Sequence, residues 1–158
     1  MTSWVPRYSG TDQLAGCMWL PRMIDKARRY EASGVAPGAM LGDYMFGNQD
    51  YMDAILLRFL GLEDTQICEV VHAEPDDERA ARRIVELSGK TAADVAAFNR
   101  KLVRGSGLFM LMMDADEGRR KPGIGVNLMR AVYNTLIFPI GKLMYRSGPS
   151  RIERNRKP

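Results

Sequence analysis

The sequence predicts an all-α fold: a compact single-domain bundle of five to seven helices with an irregular N-terminal lead-in and a hydrophobic C-terminal helix. Three observations carry this. Apolar residues recur at three- and four-residue spacing through most of the chain, as helices with one buried face require. Capping side chains open those stretches and glycines close them. No run of alternating apolar and polar residues is long enough to make a useful strand.

The first twenty residues mix Gly, Pro, Ser and aromatic side chains and form the lead-in. Pro21 suits the first turn of a helix, where its missing N–H leaves no bond unmade. Met23, Ile24, Ala27 and Tyr30 then line one face until "SGVAPG" (33–38) ends the helix. "MLGDYMFGNQ" (40–49) is short, apolar and aromatic, a loop or a brief extended piece. Asp50 caps a helix running to Leu60, with Met52, Ile55, Leu56, Phe59 and Leu60 on its buried side and Gly61 as its left-handed stop. A shorter helix spans roughly Asp64 to Ala73 and ends before Pro75, and Asp76 caps the next, which closes at Ser88 and Gly89. Thr91 with Asp94 makes a variant capping box for a helix through Val95, Phe98 and Leu102 to Gly105. "GLFMLMMDADEG" (107–118) is expected to form one more short helix. "VNLMRAVYNTLIFPIGKLMYR" (126–146) carries large apolar residues on more than one face, with a break at Pro139 and Gly141. The chain thus divides into a helical domain at 1–122, a hydrophobic extension at 123–146 packed on that domain or on a partner, and a basic tail at 147–158.

Composition excludes several classes. At 158 residues, 46% hydrophobic and 27% charged, the chain is ordinary globular protein large enough for a core of its own. Its net charge of +4 is too small to mark a nucleic-acid binder, and basic residues interleave poorly with aromatic ones, so no nucleic acid is expected as partner. Two cysteines make no disulfide framework, and with one histidine and no CxxC no metal site is expected. There is no Walker loop, dinucleotide fingerprint or nucleophile elbow, so no cofactor is expected. Residues 1–12 lack the basic start and apolar run of a secretory signal, which predicts a cytoplasmic setting with Cys17 and Cys68 as free thiols. The charges and the break within 126–146 argue against a membrane span.

The stretch "LPRMIDKARR" (20–29) holds the main candidate chemistry. On a helix, Arg22, Asp25, Lys26 and Arg29 share one sector, opposite Met23, Ala27 and Tyr30. Either this sector is a solvated face with weak helix ion pairs, or another element covers it. In the second case Arg22 becomes a fixed clamp for an anion or carbonyl, and Asp25 orients it or moves protons. In "GDYMFG" (42–47), Tyr44 is a candidate hydrogen-bond donor, and Asp43 a candidate base or Arg22 partner. Asp50 and Asp53 are better explained as helix-start residues. Eleven methionines, Met23, Met45, Met110 and Met113 among them, supply core filling or the wall of a pocket for a flexible apolar ligand. Asp114 and Asp116 sit at the mouth of such a pocket or at an exposed helix end.

"LAGCMWLPRMIDKARRY", "GDYMFG", "DAILLRFLGL" and "GKTAADVAAFNRKLVRG", in that order, resemble a bacterial domain-of-unknown-function family, number 5069, whose members carry an "LPRMIDKAR" helix, a "GEYHY" loop and a later tryptophan–asparagine pair. The resemblance runs from about Tyr8 to about Asp116. It implies a compact helical domain of bacterial origin with no established activity, and it places Arg22, Asp25, Lys26 and Arg28 on the shared motif. The chain departs from the pattern at Met45, Phe46 and Phe98, where the family has histidine, tyrosine and tryptophan, and at "GNQDYM", which replaces a proline-containing stretch. Any chemistry the loop histidine and tyrosine carry in the family is lost or changed here.

The functional expectation is a cofactor-independent small-molecule enzyme or binding protein, of isomerase, cyclase, dehydratase or hydrolase type, with an apolar pocket and a polar site. Arg22, Asp25, Asp43 and Tyr44 would be catalytic, while Lys26, Arg28, Met23, Met45, Met110 and Met113 would contact a small apolar or anionic molecule. The alternative is a non-enzymatic interaction protein, such as a homodimer, or a peripheral membrane-binding protein. Either would use residues 126–146, with the basic tail assisting.

Overall fold

Helix α1 (Leu20–Ser33) runs through the middle of the molecule, and every residue from Leu20 to Ala27 is buried. The computed structural model describes residues 4–34, 40, 42–132 and 135. Among these, five further helices follow α1: α2 (Tyr51–Leu60), α3 (Asp64–Ala73), α4 (Asp77–Ser88), α5 (Ala92–Asp116) and α6 (Ile124–Val132). The fold is all-α apart from a small hairpin in the lead-in.

The helix ends follow local chemistry. Asp50 Oδ1 accepts from the N–H groups of Met52 (2.9 Å) and Asp53 (3.0 Å), and Asp76 Oδ1 from that of Arg79 (2.9 Å). Each of these satisfies donors that a helix start leaves unpaired. Glu63 with Gln66 and Thr91 with Asp94 form reciprocal capping boxes at α3 and α5. Gly34, Gly61 and Gly89 close α1, α2 and α4 in the left-handed conformation.

Two features differ from the sequence prediction. Strands β1 (Gln13–Leu14) and β2 (Cys17–Met18) pair antiparallel around Ala15 and Gly16, both at positive φ, 48° and 73°. A two-residue left-handed turn matches strand twist, but two-residue strands are too short to show as alternation. Asn99 holds the hairpin on α5, donating to Gly16 O (2.7 Å) and accepting from Met18 N (3.0 Å). The second difference is α5, one continuous helix over the stretch where two were predicted. Its buried stripe Phe98, Leu102, Ser106, Met110 and Asp114 keeps four-residue spacing straight through Gly105 and Gly107. Packing along that stripe outweighs a glycine penalty of about 1 kcal/mol per position.

The core joins Trp19, Leu20, Met23, Ile24 and Tyr30 to Phe46, Met52, Leu56 and Leu57, to Ile67, Val71 and Ile84, and to Val95, Phe98 and Met110. Helix α1 packs on α3, α4 and the hairpin, and α6 packs on α5. Residues 133–134 and 136–158, which include most of the predicted hydrophobic extension and all of the basic tail, lie outside the described residues.

Candidate functional site

The face carrying Arg22, Asp25 and Lys26 is not solvated. These residues are 1%, 6% and 1% exposed. A charge removed from water must be paired and hydrogen-bonded, and each one on α1 meets a different segment of the chain. Asp25 accepts from the Arg7 backbone N–H (2.7 Å) and from Arg7 Nε (2.6 Å). Arg28 donates to Asp77 (2.6 Å), Val71 O (3.0 Å) and Glu74 O (2.7 Å), tying α1 to the α3–α4 junction. Arg7 Nη2 and the Tyr8 hydroxyl also reach Asp77, at 2.8 and 2.9 Å. Burial works against ionisation of Asp77, but the Arg28 and Tyr8 hydrogen bonds outweigh it and hold its pKa below the ordinary value.

Lys26 Nζ lies 2.8 Å from Asp53 Oδ1 and 3.2 Å from Asp50 Oδ2. Asp53 is fully buried and also accepts from the Trp19 indole N–H (2.7 Å) and the Gly47 N–H (3.0 Å). Burial pushes its pKa up, to about 6, against the attraction of Lys26.

Arg22 is clamped by Glu117, which follows α5. Nη1 donates to Glu117 Oε2 (3.0 Å) and to Tyr8 O (3.0 Å), and Nη2 donates to Glu117 Oε1. The Tyr44 hydroxyl adds a bond to Oε1 (2.9 Å) and Arg119 Nε one to Oε2 (3.1 Å). Trp19 and Tyr44 rings lie 5.2 and 5.4 Å from the guanidinium, and Trp4 stands edge-on to Tyr44 at 5.5 Å. Burial opposes the charges of Arg22 and Glu117, yet their mutual bonds prevail, raising the pKa of Arg22 and lowering that of Glu117. Burial, helped by Glu117, pushes Tyr44 up to about 12, so its hydroxyl stays a donor.

The sequence-predicted residues are therefore dispersed. Arg22 and Tyr44 meet on one carboxylate, but Asp25 faces Arg7, Asp43 is exposed, and the partner of Arg22 is Glu117 rather than Asp43. Met23 and Met110 are sealed in the core at 0% exposure, filling space between helices. Met45 and Met113 are half-buried. Asp53 is a buried counterion in addition to standing at a helix start, and Asp114 is buried where it accepts from Ser9 Oγ (2.8 Å). Sequence reasoning missed Arg7, Trp19, Asp77 and Glu117 as partners. Arg7, Asp77 and Glu117 are distant along the chain from the charges on α1 that they meet, as Trp19 is from Asp53, although its ring also packs on nearby Arg22.

An open concavity lies elsewhere. A groove of about 750 Å³ runs between α2 and α5. Ile55, Phe59, Phe98 and Leu102 form its apolar floor, and Tyr51, Arg58, Asp94 and Lys101 stand at its rim. Phe59 and Phe98 stack at 4.2 Å with 12° between their planes. None of the residues predicted from sequence as catalytic or ligand-binding lines this groove. Among the described residues no cluster of three or more His, Cys, Asp or Glu is arranged to hold a metal ion, and no helix is long and apolar enough to cross a membrane.

Neither a curated protein nor a solved structure matches the chain. A family model does, over residues 5–108, about two thirds of the length: the chain belongs to the domain of unknown function family DUF5069.

Proposed function

We propose that the protein is a small-molecule binding domain, and that its ligand is an amphipathic anion, an apolar or aromatic body carrying one acidic group, seated in the groove between α2 and α5. The observation that carries this reading is the stacked pair Phe59–Phe98 on the groove floor with Arg58 and Lys101 at the rim. The groove's volume is in the range of small-ligand sites, and an apolar floor with a few convergent polar groups is their usual composition. The reading favours binding over turnover. Asp94, the carboxylate at the rim, is engaged by the Thr91 hydroxyl (2.6 Å), and Asp25 and Tyr44 are committed to other partners. A cytoplasmic setting goes with this proposal, since Cys17 and Cys68 are both free thiols.

The test is native mass spectrometry of freshly purified protein, together with titration of the fluorescent aromatic anion 8-anilinonaphthalene-1-sulfonate. Arg58→Glu/Lys101→Glu changes two exposed side chains, so it should leave the fold intact and weaken binding about tenfold. Equal affinity in wild type and variant would rule the groove out.

A second reading has one specific observation behind it. Ile124, Leu128 and Val132 recur every four residues on α6 and are 91%, 67% and 40% exposed, an apolar stripe of the kind that self-association covers. Sedimentation velocity decides. A dimer that Leu128→Glu dissociates supports an interaction role, and a wild-type monomer at all concentrations removes it.

A further inference from the structure

We infer that Arg22 and Tyr44 form a receptor for a small-molecule carboxylate, and that Glu117 is its resident occupant, supplied by the same chain and displaceable by an external acid. This site is separate from the α2–α5 groove and does not depend on the groove being occupied.

Each oxygen of the Glu117 carboxylate receives two donors: Oε1 from Arg22 Nη2 and Tyr44 Oη, Oε2 from Arg22 Nη1 and Arg119 Nε. Those donors arrive from α1, from the loop before α2 and from the turn after α5. They converge on two planar oxygens in the bidentate manner that makes arginine the preferred carboxylate binder. The two flanking rings, Trp19 and Tyr44, lie 5.2 and 5.4 Å from the guanidinium and hold it in place. In chemical terms Glu117 is bound as a ligand would be.

Two further observations separate occupant from receptor. Tyr8, Trp19, Arg22 and Tyr44 all fall inside the region the family model matches, and Glu117 and Arg119 fall beyond its end at residue 108. The receptor thus lies within the family-matched region, and the occupant in the segment C-terminal to it. In addition, internal partners do not saturate the site. Arg22 is 1% exposed, yet among the described residues its Nε–H has no acceptor, and Oδ1 of buried Asp114, on the last turn of α5, has no donor. Buried polar atoms are nearly always paired in a contact built for permanence.

The connection is suited to release. Glu117 caps α5 outside its last helical turn, Gly118 comes next at a φ of 73°, and residues 118–125 are exposed. Withdrawing the carboxylate requires moving this turn, which Arg119 also ties to the carbonyls of Arg7 (2.9 Å) and Pro6. Because Glu117 is tethered, it competes at an effective concentration of roughly millimolar or above. An external acid must match or exceed that, and deleting the tethered carboxylate should expose the receptor's own affinity.

The experiment titrates sodium acetate and propionate into full-length Glu117→Ala and wild type at constant ionic strength, following melting temperature and tryptophan fluorescence. The chain has two tryptophans, and Trp4 and Trp19 both border the site, so fluorescence reports its occupancy. The expected result is a saturable fluorescence change and a rise in melting temperature in Glu117→Ala. Apparent affinity should be about tenfold or more weaker in wild type, and about tenfold weaker again in Glu117→Ala/Tyr44→Phe than in Glu117→Ala. Acetamide and chloride should do nothing. Equal responses to acetate, chloride and phosphate, or equal affinity in wild type and Glu117→Ala, would overturn the inference. Should Glu117→Ala not fold, the wild type decides alone: a saturable propionate response that Tyr44→Phe weakens supports the receptor, and no response at high concentration overturns it.

Discussion

Replacing Lys26 with methionine tests whether the charges on α1 are as dry in solution as their burial implies. The side chain is 1% exposed and its ammonium faces Asp53, which is 0% exposed. Methionine preserves much of the volume and removes the charge, leaving Asp53 with the Trp19 indole N–H and the Gly47 N–H. Breaking a buried ion pair from one side costs about 3–5 kcal/mol. The loss has a ceiling, because Asp53 can take up a proton instead. Protonating a carboxylate of ordinary pKa at pH 7 costs about 4 kcal/mol, so the expected destabilisation at that pH is about 3–4 kcal/mol.

The pH dependence sharpens the test. Burial already raises Asp53 to about 6. A carboxylate raised on folding contributes stability that is full below its unfolded pKa and lost as pH rises through the folded one. Without Lys26 the folded pKa climbs further, so the gap between variant and wild type should narrow by about 1 kcal/mol from pH 7 to pH 5. In Lys26→Met/Asp53→Asn the two losses should fall short of additivity by about 1–3 kcal/mol. Urea unfolding followed by far-UV circular dichroism and tryptophan fluorescence measures Lys26→Met, Asp53→Asn and the double variant. A cost below about 1 kcal/mol at pH 7, or one independent of pH, would mean that water reaches Asp53 and that the burial argument is wrong.

The other predictions concern acid stability, capping and backbone. Asp77 and Glu117 are held below the usual carboxylate range by Arg28 and Arg22, against burial. Their stabilisation is present above the unfolded pKa and lost as pH falls through the folded one, so melting temperature should drop below about pH 4. Asp77→Asn should flatten that drop in a series of thermal scans. Asp50 both caps α2 and faces Lys26. Asp50→Ala should therefore cost more in urea titrations than the ordinary capping loss of about 1 kcal/mol, and Asp50→Asn, which keeps the capping oxygen, less than alanine does. Gly47 has a φ of 91° and a Cβ there would run into Asp64, whereas Gly16, at 73°, has open space around it. Gly47→Ala should lose about 1–3 kcal/mol and Gly16→Ala about 1 kcal/mol or less, read from the same unfolding curves.

Helix boundaries were legible because their chemistry is local. A cap at Asp50, Asp76 or Thr91 acts on N–H groups two or three residues away, so a short window of sequence contains both partners. The course of α5 through Gly105 and Gly107 was hidden, because the stripe that holds it straight is judged only against the surface it packs on. The candidate site was half legible. Residue type and spacing mark Arg22 and Tyr44 as candidate polar residues, but Glu117 lies 95 residues from Arg22 in sequence, and a glutamate just past a helix looks like any exposed one. Burial of the charged sector depended on which elements cover it, and no property of α1 alone decides that. The α2–α5 groove arises from space that no side chain of the described residues fills, for which sequence has no sign.

The directions of the charges on α1 determine their effect. At about 100° per residue, Leu20, Met23, Ile24, Ala27 and Tyr30 occupy one side of the helix, and Arg22, Asp25, Lys26 and Arg28 spread over the other. Apolar packing alone would tolerate sliding or rotation, because core contacts are non-directional. Four charges addressed to four segments are not so tolerant: Asp25 to the lead-in at Arg7, Lys26 to the start of α2, Arg28 to the junction of α3 and α4, and Arg22 to the end of α5. Turning α1 by one residue would strand every one of them without a counterion. Buried ion pairs add little net stability over apolar replacements of the same shape, so their consequence here is one register rather than a deeper energy minimum. Three of the four addresses lie within the family-matched region; the fourth, Glu117, lies beyond it. Arg22 is therefore the one of these four charges whose counterion lies beyond the family-matched region, and an exchangeable carboxylate fits there and at none of the other three.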